Sequence, residues 1–185
     1  PGANKTIGFE FHINIPSGTA VTPPNPNAPI HGGGAPTYTH AAATRTLPSG
    51  NQVIAQRIGK SGEQGFGVYL LATPLHEPSG TIQMIVSSGS LHASASMKIQ
   101  KGAWTHVCAQ FNRVPGIHQV QLYKDAKYVT GSDTVEMYDF GFTAESPLTI
   151  GSGSNHVFSG SVGQPSSLTL SFSEQFSGSI DEFRL

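Results

Sequence analysis

The chain of 185 residues is poor in charge and in cysteine, and each shortage excludes a class of protein. Only 11% of its residues are charged, which is less than half of the roughly 25% that soluble domains usually carry. The net charge is -1 and no run of basic residues occurs, so nucleic acid is not an expected partner. The one cysteine cannot form an internal disulfide, so the redox compartment stays open.

Long hydrophobic runs are also missing. No apolar stretch approaches the roughly 20 residues that a membrane-spanning helix requires, so we expect no membrane insertion. The first residues, PGAN, have neither the basic region nor the apolar region of a signal peptide. The sequence therefore predicts neither a membrane-spanning protein nor an unprocessed secretory precursor.

Small and polar residues stand in place of the missing charge. The chain contains 22 glycines and 13 prolines, together with many serines and threonines, which is typical of short strands joined by tight turns. Helical bundles are excluded because their exposed faces need Glu, Lys and Arg at i,i+4 spacing. The low charge also favours a location outside the crowded cytosol.

Alternation of apolar and polar residues predicts strands along most of the chain. It is regular from Ile7 to Ile15 and again from Leu91 to Ile99, with one face of each strand buried. The remaining strands are predicted at 52–59, 65–72, 81–87, 103–112, 118–124, 127–130, 147–151, 166–172 and 176–185. Short strands without a helix predict an all-β fold, a two-sheet antiparallel sandwich that forms a single domain over residues 1–185.

A long loop insertion is predicted at about residues 19–50, because this stretch is rich in Gly and Pro and shows no alternation. Tyr38, His31 and His40 are its candidate ligand-binding residues, since adaptable binding loops combine aromatic anchors with small polar residues. An extended arm that packs on a neighbouring subunit fits the same composition, and both alternatives stay open. A second insertion, at 155–165, is predicted to lie at a rim of the sandwich.

Four segments in the second half of the chain carry a resemblance to a known family. They are, in order, GAWTHV at 102–107, VQLYKD at 120–125, PLTIG at 147–151 and FSGSIDEFRL at 176–185. The ordered set resembles the laminin-G-like, concanavalin A-like lectin/glucanase jelly-roll family, and TIGFEF at 6–11 and GFGVYL at 65–70 look like two of its earlier strands. The resemblance implies a jelly-roll sandwich and a lectin-like role in carbohydrate binding or adhesion.

The chain departs from the family pattern in two places. Ala126 stands where the family hairpin has glycine, so we expect either a turn other than type I′ or a shifted Asp125, because type I′ needs positive φ at both central residues. The family's opening strand has no counterpart before Pro1. An open sheet edge, and a place for the chain as one module of a larger protein or assembly, are therefore expected.

Trp104, His106 and Cys108 share one face of their strand by period two. The resemblance implies that Trp104 closes the core, and this interpretation is preferred to a sugar-stacking role. His106 is expected to be a buried histidine with its hydrogen bonds satisfied, and Cys108 a small buried hydrophobe.

Catalysis by paired carboxylates is not expected. Glycanases with a sandwich of this kind carry two acids at alternating positions of one strand, so that both side chains enter the same groove. The nearest pair is Asp181 and Glu182, and adjacent residues of a strand point to opposite faces. No catalytic residue is therefore assigned, and the protein is not predicted to be an enzyme.

Calcium is the one cofactor that the resemblance brings into consideration. Many jelly-roll relatives hold a structural Ca²⁺ near the rim with aspartates and loop carbonyls, which suit this hard cation. Asp181 and Asp125 are the candidate ligands, although a purely structural role for Asp181 is an equal alternative. The eight histidines show no metal-binding spacing, so a transition-metal site is not expected.

The leading hypothesis is a non-catalytic recognition module that binds glycans or a cell surface, as part of an extracellular, cell-surface or virion-surface protein. The alternative is an architectural module that contacts neighbouring protein subunits in a phage tail, fibre or capsid or on a bacterial surface, and it allows an oligomer. A glycoside hydrolase is disfavoured because the expected acid pair is missing.

Overall fold

The structure, a computed structural model, describes residues 5–17, 50–59, 64–73, 77–88, 91–114, 116–134, 140, 142, 146–158, 168–170 and 174–185. These residues form thirteen strands, and none of them lies in a helix that could cross a membrane. The strands are β1 (Ile7–Asn14), β2 (Gln52–Ile58), β3 (Gly65–Leu71), β4 (Ser79–Ser88), β5 (Leu91–Gln100), β6 (Trp104–Val114), β7 (Ile117–Lys124), β8 (Lys127–Thr134), β9 (Leu148–Ile150), β10 (His156–Phe158), β11 (Leu168–Leu170), β12 (Glu174–Gln175) and β13 (Ser179–Arg184).

Two sheets pack face to face. One has five strands in the order β13-β1-β6-β7-β8, and the other has the order β12-β2-β3-β4-β5, with β9 also paired to β2. All pairings are antiparallel except the short one between β12 and β2. β10 and β11 form a separate two-stranded ribbon. The predicted all-β antiparallel sandwich is therefore confirmed.

The core lies between the two sheets and is built from alternate residues. Phe9, Phe11 and Ile13 of β1 face inward with Val107 and Phe111 of β6, and all are buried. The opposite sheet contributes Val68, Leu70, Ile82, Met84, Val86, Ala93, Ala95, Met97 and Ile99. The alternation read from β1 and β5 is thus confirmed. The residues that alternate with the inward sets of β1 and β6 lie on the outer face of the five-stranded sheet.

A second buried cluster lies on the opposite face of the β2-β3-β4 strands. His156 of β10 is fully buried there, with its Nδ1 2.7 Å from the Tyr69 hydroxyl and its Nε2 2.7 Å from the Ser87 hydroxyl. The prediction of a rim loop at 155–165 is therefore wrong for His156–Phe158. Hydrophobic alternation does not reveal this strand, because its buried His156 is polar and follows Ser154 and Asn155.

The segment before β10 is held by a buried glutamine of β2. Gln56 Oε1 accepts a hydrogen bond of 2.6 Å from the Ser154 backbone N–H, and its Nε2 donates one of 3.0 Å to the Ser154 carbonyl. A Cβ on Gly153 would lie 1.8 Å from Gln56 Oε1, so only glycine lets the chain approach this closely. The sequence pattern does not predict this pair of hydrogen bonds.

The hairpin between β7 and β8 turns through two residues. Asp125 has φ of 50° and Ala126 has φ of 61°, while Lys124 pairs with Lys127, so both central residues have the positive φ of a type I′ turn. The expectation of another turn type or a shifted aspartate is wrong. Asp125 supports the turn because its Oδ1 accepts a hydrogen bond from the His106 N–H at 3.2 Å.

Ala126→Gly should raise the free energy of unfolding by about 0.5–1 kcal/mol. A residue with a Cβ is strained in the left-handed region, and this gain exceeds the entropy that glycine adds to the unfolded chain. Urea denaturation measures the change. Ala103→Gly is the matched control, since Ala103 is exposed and lacks a positive φ, and it should lower stability. A loss of stability for both variants would contradict the strain argument.

Candidate functional site

The outer face of the five-stranded sheet carries the polar side chains that alternate with core residues along each strand. His12 of β1 lies opposite His106 of β6, and Glu10 lies opposite Cys108. The two imidazole rings are 5.0 Å apart between centroids. This face therefore collects titratable groups that are distant in sequence.

Trp104 belongs to this outer face, where 53% of its surface is exposed. The prediction that it closes the core is wrong, because Val107 and Ala109 take the inward positions of β6 and period two then turns Trp104 outward. His106 and Cys108 are partly exposed on the same face, so their predicted burial is also wrong. Partial burial, together with the nearby Glu10 carboxylate, raises the pKa of the Cys108 thiol and favours its unreactive form.

A β-bulge in β13 brings two adjacent carboxylates to this face. His12 pairs with Asp181, and the register then shifts so that Glu182 and Phe183 both stand opposite Phe11. Glu182 has a φ of 50°, and Phe183 turns inward, where its ring stacks on that of Phe11 at 6.0 Å. Asp181 and Glu182 are both exposed as a result. The prediction that their side chains point to opposite faces is wrong because the extra residue breaks the period of two.

These groups surround one shallow depression with a volume of about 270 Å³. Its walls are His12, Trp104, Asp181 and Glu182, contributed by β1, β6 and β13. The depression thus combines an aromatic face with an imidazole and two carboxylates. This is a mixture of apolar area and a few orienting polar groups, as in small-molecule binding sites.

Ion pairs connect the depression to its surroundings. His12 Nδ1 lies 3.6 Å from Glu182 Oε2, and Arg184 Nη2 lies 3.8 Å from the same oxygen. His106 Nε2 lies 3.0 Å from Glu10 Oε1, which is hydrogen-bond distance. The side chain of Glu182 is 58% exposed, so its two longer ion pairs are weak and its carboxylate remains accessible to a ligand.

A row of amide and tyrosine side chains continues the outer face beyond the depression. Gln110 Nε2 donates a hydrogen bond of 2.6 Å to Gln121 Oε1, which also accepts one of 3.2 Å from the Tyr123 hydroxyl. Tyr123 lies opposite Cys108, and its ring meets the exposed ring of Tyr128 edge to face at 5.6 Å. The outer face therefore offers aromatic and neutral polar groups over several strands.

A comparison of the sequence with family models gives a match over most of the chain. The model described as the concanavalin A-like lectin/glucanases superfamily matches residues 17–185. The chain belongs to this superfamily. No curated protein and no solved structure matches it. The superfamily match begins after β1, so the placement of Glu10 and His12 at or beside the depression follows from the fold and not from the family pattern.

The candidate calcium ligands are not brought together in this superfamily member. Asp181, His12, His106 and Asp125 follow one another across β13, β1, β6 and the end of β7. Three strand spacings separate the two aspartates, which is about 14 Å. Asp125 and Asp181 therefore do not fit one shared ion. Among the described residues no group of three or more His, Cys, Asp or Glu side chains could hold a metal, and calcium stays a prediction.

The predicted loop ligands Tyr38, His31 and His40 lie outside the described residues, as does the predicted loop at 19–50 apart from Gly50. Their role stays a prediction. The depression replaces them as the candidate site for which geometry is known. The sequence carries a signal for it, because the apolar Val107, Ala109 and Phe111 alternate with Trp104 and His106 and so take the inward face of β6.

Proposed function

We propose that the protein is a non-catalytic recognition module that binds glycans across the outer face of its five-stranded sheet. The observation that carries this proposal is Trp104, a large aromatic side chain that is half exposed at the edge of a depression with carboxylates. The flat face of an indole packs against the C–H face of a sugar ring. Carboxylates and imidazoles supply hydrogen bonds for its hydroxyl groups.

Ligand length follows from the extent of the polar face. Trp104 and Tyr123 are separated by four residues along β6 and one strand across it, because Tyr123 lies opposite Cys108. This spacing corresponds to about 14 Å. An oligosaccharide could stack at one end on Trp104 and hydrogen-bond along the intervening side chains. We therefore propose an oligosaccharide rather than a single sugar as the ligand.

The composition of the chain supports recognition by short-range contacts and a place outside the cell. A charged fraction of 11% gives little long-range electrostatic capture, so recognition must depend on contact. We propose an extracellular, cell-surface or virion-surface location on the same ground. Membership of a superfamily named for lectins and glucanases supports glycan as the class of ligand.

Trp104→Ala should lower glycan affinity at least tenfold, because an aromatic side chain that anchors a ligand often contributes about 2 kcal/mol or more to binding. The melting temperature should change little, since the side chain lies outside the core. A glycan array first identifies a ligand, and isothermal titration then measures its affinity for both proteins. Ile150→Ala is the control, since Ile150 is comparably exposed on β9 of the other sheet and should bind normally.

Two outcomes would count against the proposal. Unchanged affinity in Trp104→Ala would remove the depression from the binding surface. If no glycan on the array binds the wild-type protein, the architectural alternative is favoured, in which this face contacts neighbouring protein subunits.

A further inference from the structure

The depression carries a local excess of negative charge in a chain that has little charge of either sign. Asp181 and Glu182 line it, and Glu10 lies on the neighbouring strand beside His106. Arg184 is the basic side chain in the ion pairs of this cluster. Three carboxylates and one guanidinium give -2 with neutral imidazoles, whereas the whole chain has a net charge of -1.

The two carboxylates that line the depression keep capacity for a ligand. Within the described part of the chain, Glu182 makes ion pairs of 3.6 and 3.8 Å, which are longer than hydrogen bonds, and it is mostly exposed. Asp181 uses Oδ1 to accept the Glu182 N–H at 2.8 Å, and a carboxylate has about four acceptor positions in all. Both can therefore accept further hydrogen bonds from a bound donor.

Trp104 is an independent observation that favours the same kind of ligand. Its exposed ring lines the depression with the two carboxylates. Among aromatic side chains, the indole face most strongly attracts a cation within about 6 Å. A positive group in the depression would be attracted by the ring and the carboxylates together. A neutral sugar would stack on the ring but would desolvate the carboxylates without compensating charge.

We infer that this depression selects glycans that carry free, protonated amino groups over neutral glycans of the same backbone. The inference rests on the proposed glycan binding and adds the chemical class of the sugar. The amino group would lie between the Trp104 face and the Asp181 and Glu182 carboxylates, and the sugar ring would extend towards the tyrosines. An acetyl group on the nitrogen removes the charge and so removes the preference.

Two oligosaccharides that differ only in acetylation test the inference. Pentamers of glucosamine and of N-acetylglucosamine are titrated into the wild-type protein by calorimetry at about pH 7, which lies above the ordinary histidine pKa of about 6.5 and keeps part of the amines protonated. We expect at least tenfold higher affinity for glucosamine. The double variant Asp181→Asn, Glu182→Gln should reduce glucosamine affinity to the N-acetylglucosamine level and leave N-acetylglucosamine affinity unchanged.

A control variant separates this site from general acidity. Asp133→Asn removes an exposed carboxylate of β8 that is hydrogen-bonded to Gln119, and it should keep the full preference for glucosamine. Unchanged melting temperatures would show that both variants are folded. Loss of the preference in Asp133→Asn would overturn the assignment to the depression.

Three results would overturn the inference in distinguishable ways. Equal affinity for the two pentamers would refute the amine preference and leave glycan binding standing. Absence of binding to either pentamer, with other glycans bound on the array, would also refute only the amine preference. Equally tight binding of penta-lysine would show attraction by charge alone, without recognition of a sugar.

Discussion

Acidification from neutral pH to about pH 4 should destabilise the protein by about 3 kcal/mol through His156 alone. This imidazole is fully buried between Tyr69 and Ser87, and burial, with a smaller effect from His92, lowers its pKa from 6.5 to about 4. The difference between these two pKa values corresponds to the stated free energy.

The sign follows from where the proton binds. Between about pH 6.5 and pH 4 the unfolded chain takes up a proton on His156 and the folded protein does not. The stabilising contribution of the neutral imidazole is therefore complete above pH 6.5, falls as the pH decreases and is lost below about pH 4. Carboxylates titrate in the lower part of this pH range, so a variant is required to isolate the contribution of the histidine.

Urea denaturation of the wild type and of His156→Gln across this pH range measures the effect. The variant should be less stable at neutral pH and should lose about 3 kcal/mol less on acidification. His12→Gln is the control, because His12 is only partly buried on the other sheet and its replacement should leave the acid sensitivity unchanged. An acid-induced loss of the same size in His156→Gln would assign the sensitivity to other groups.

Phe11→Ala should lower the free energy of unfolding by about 3–5 kcal/mol, the usual cost of removing a buried phenylalanine. Phe11 of β1 is fully buried in the core between the sheets, and its ring stacks on that of Phe183 in β13. The cavity would remove the support of the bulge that carries Asp181 and Glu182. We therefore expect weaker ligand binding as well as lower stability.

A second core variant separates the two effects of this substitution. Met84→Ala removes an equally buried side chain from the other sheet, at a cost of about 2–5 kcal/mol. Under conditions where both variants remain folded, only Phe11→Ala should reduce glycan affinity. Equal affinities in the two variants would show that the bulge does not depend on the core beneath it.

The long strands could be predicted from sequence because burial on one face repeats every two residues. The inward sets of β1, β5 and β6 follow this rule, and the fold class follows from them. β10 and β12 could not be found in this way, since the buried residue of β10 is the polar His156 and β12 consists of Glu174 and Gln175. Their positions depend on buried partners such as Tyr69 and Gln52, which only the folded chain brings near.

The candidate site was less accessible to sequence reasoning than the fold. The alternation along β6 predicts an outward Trp104, whereas the family resemblance implies a core position. The bulge at Glu182 had no signal, because the residue with positive φ is a glutamate and not the glycine that usually marks such a position. The meeting of β1 with β13 is a long-range pairing that no local pattern contains.

The bulge also affects how the protein behaves beside copies of itself. Among the described residues β13 is the outer strand of the five-stranded sheet, a position that can template pairing with another chain. The extra residue disrupts the regular spacing of backbone donors and acceptors, and Asp181, Glu182 and Arg184 add charge to the exposed strand. The edge is thereby a poor template for strand addition, so the structure that forms the depression also protects the protein against edge-to-edge aggregation.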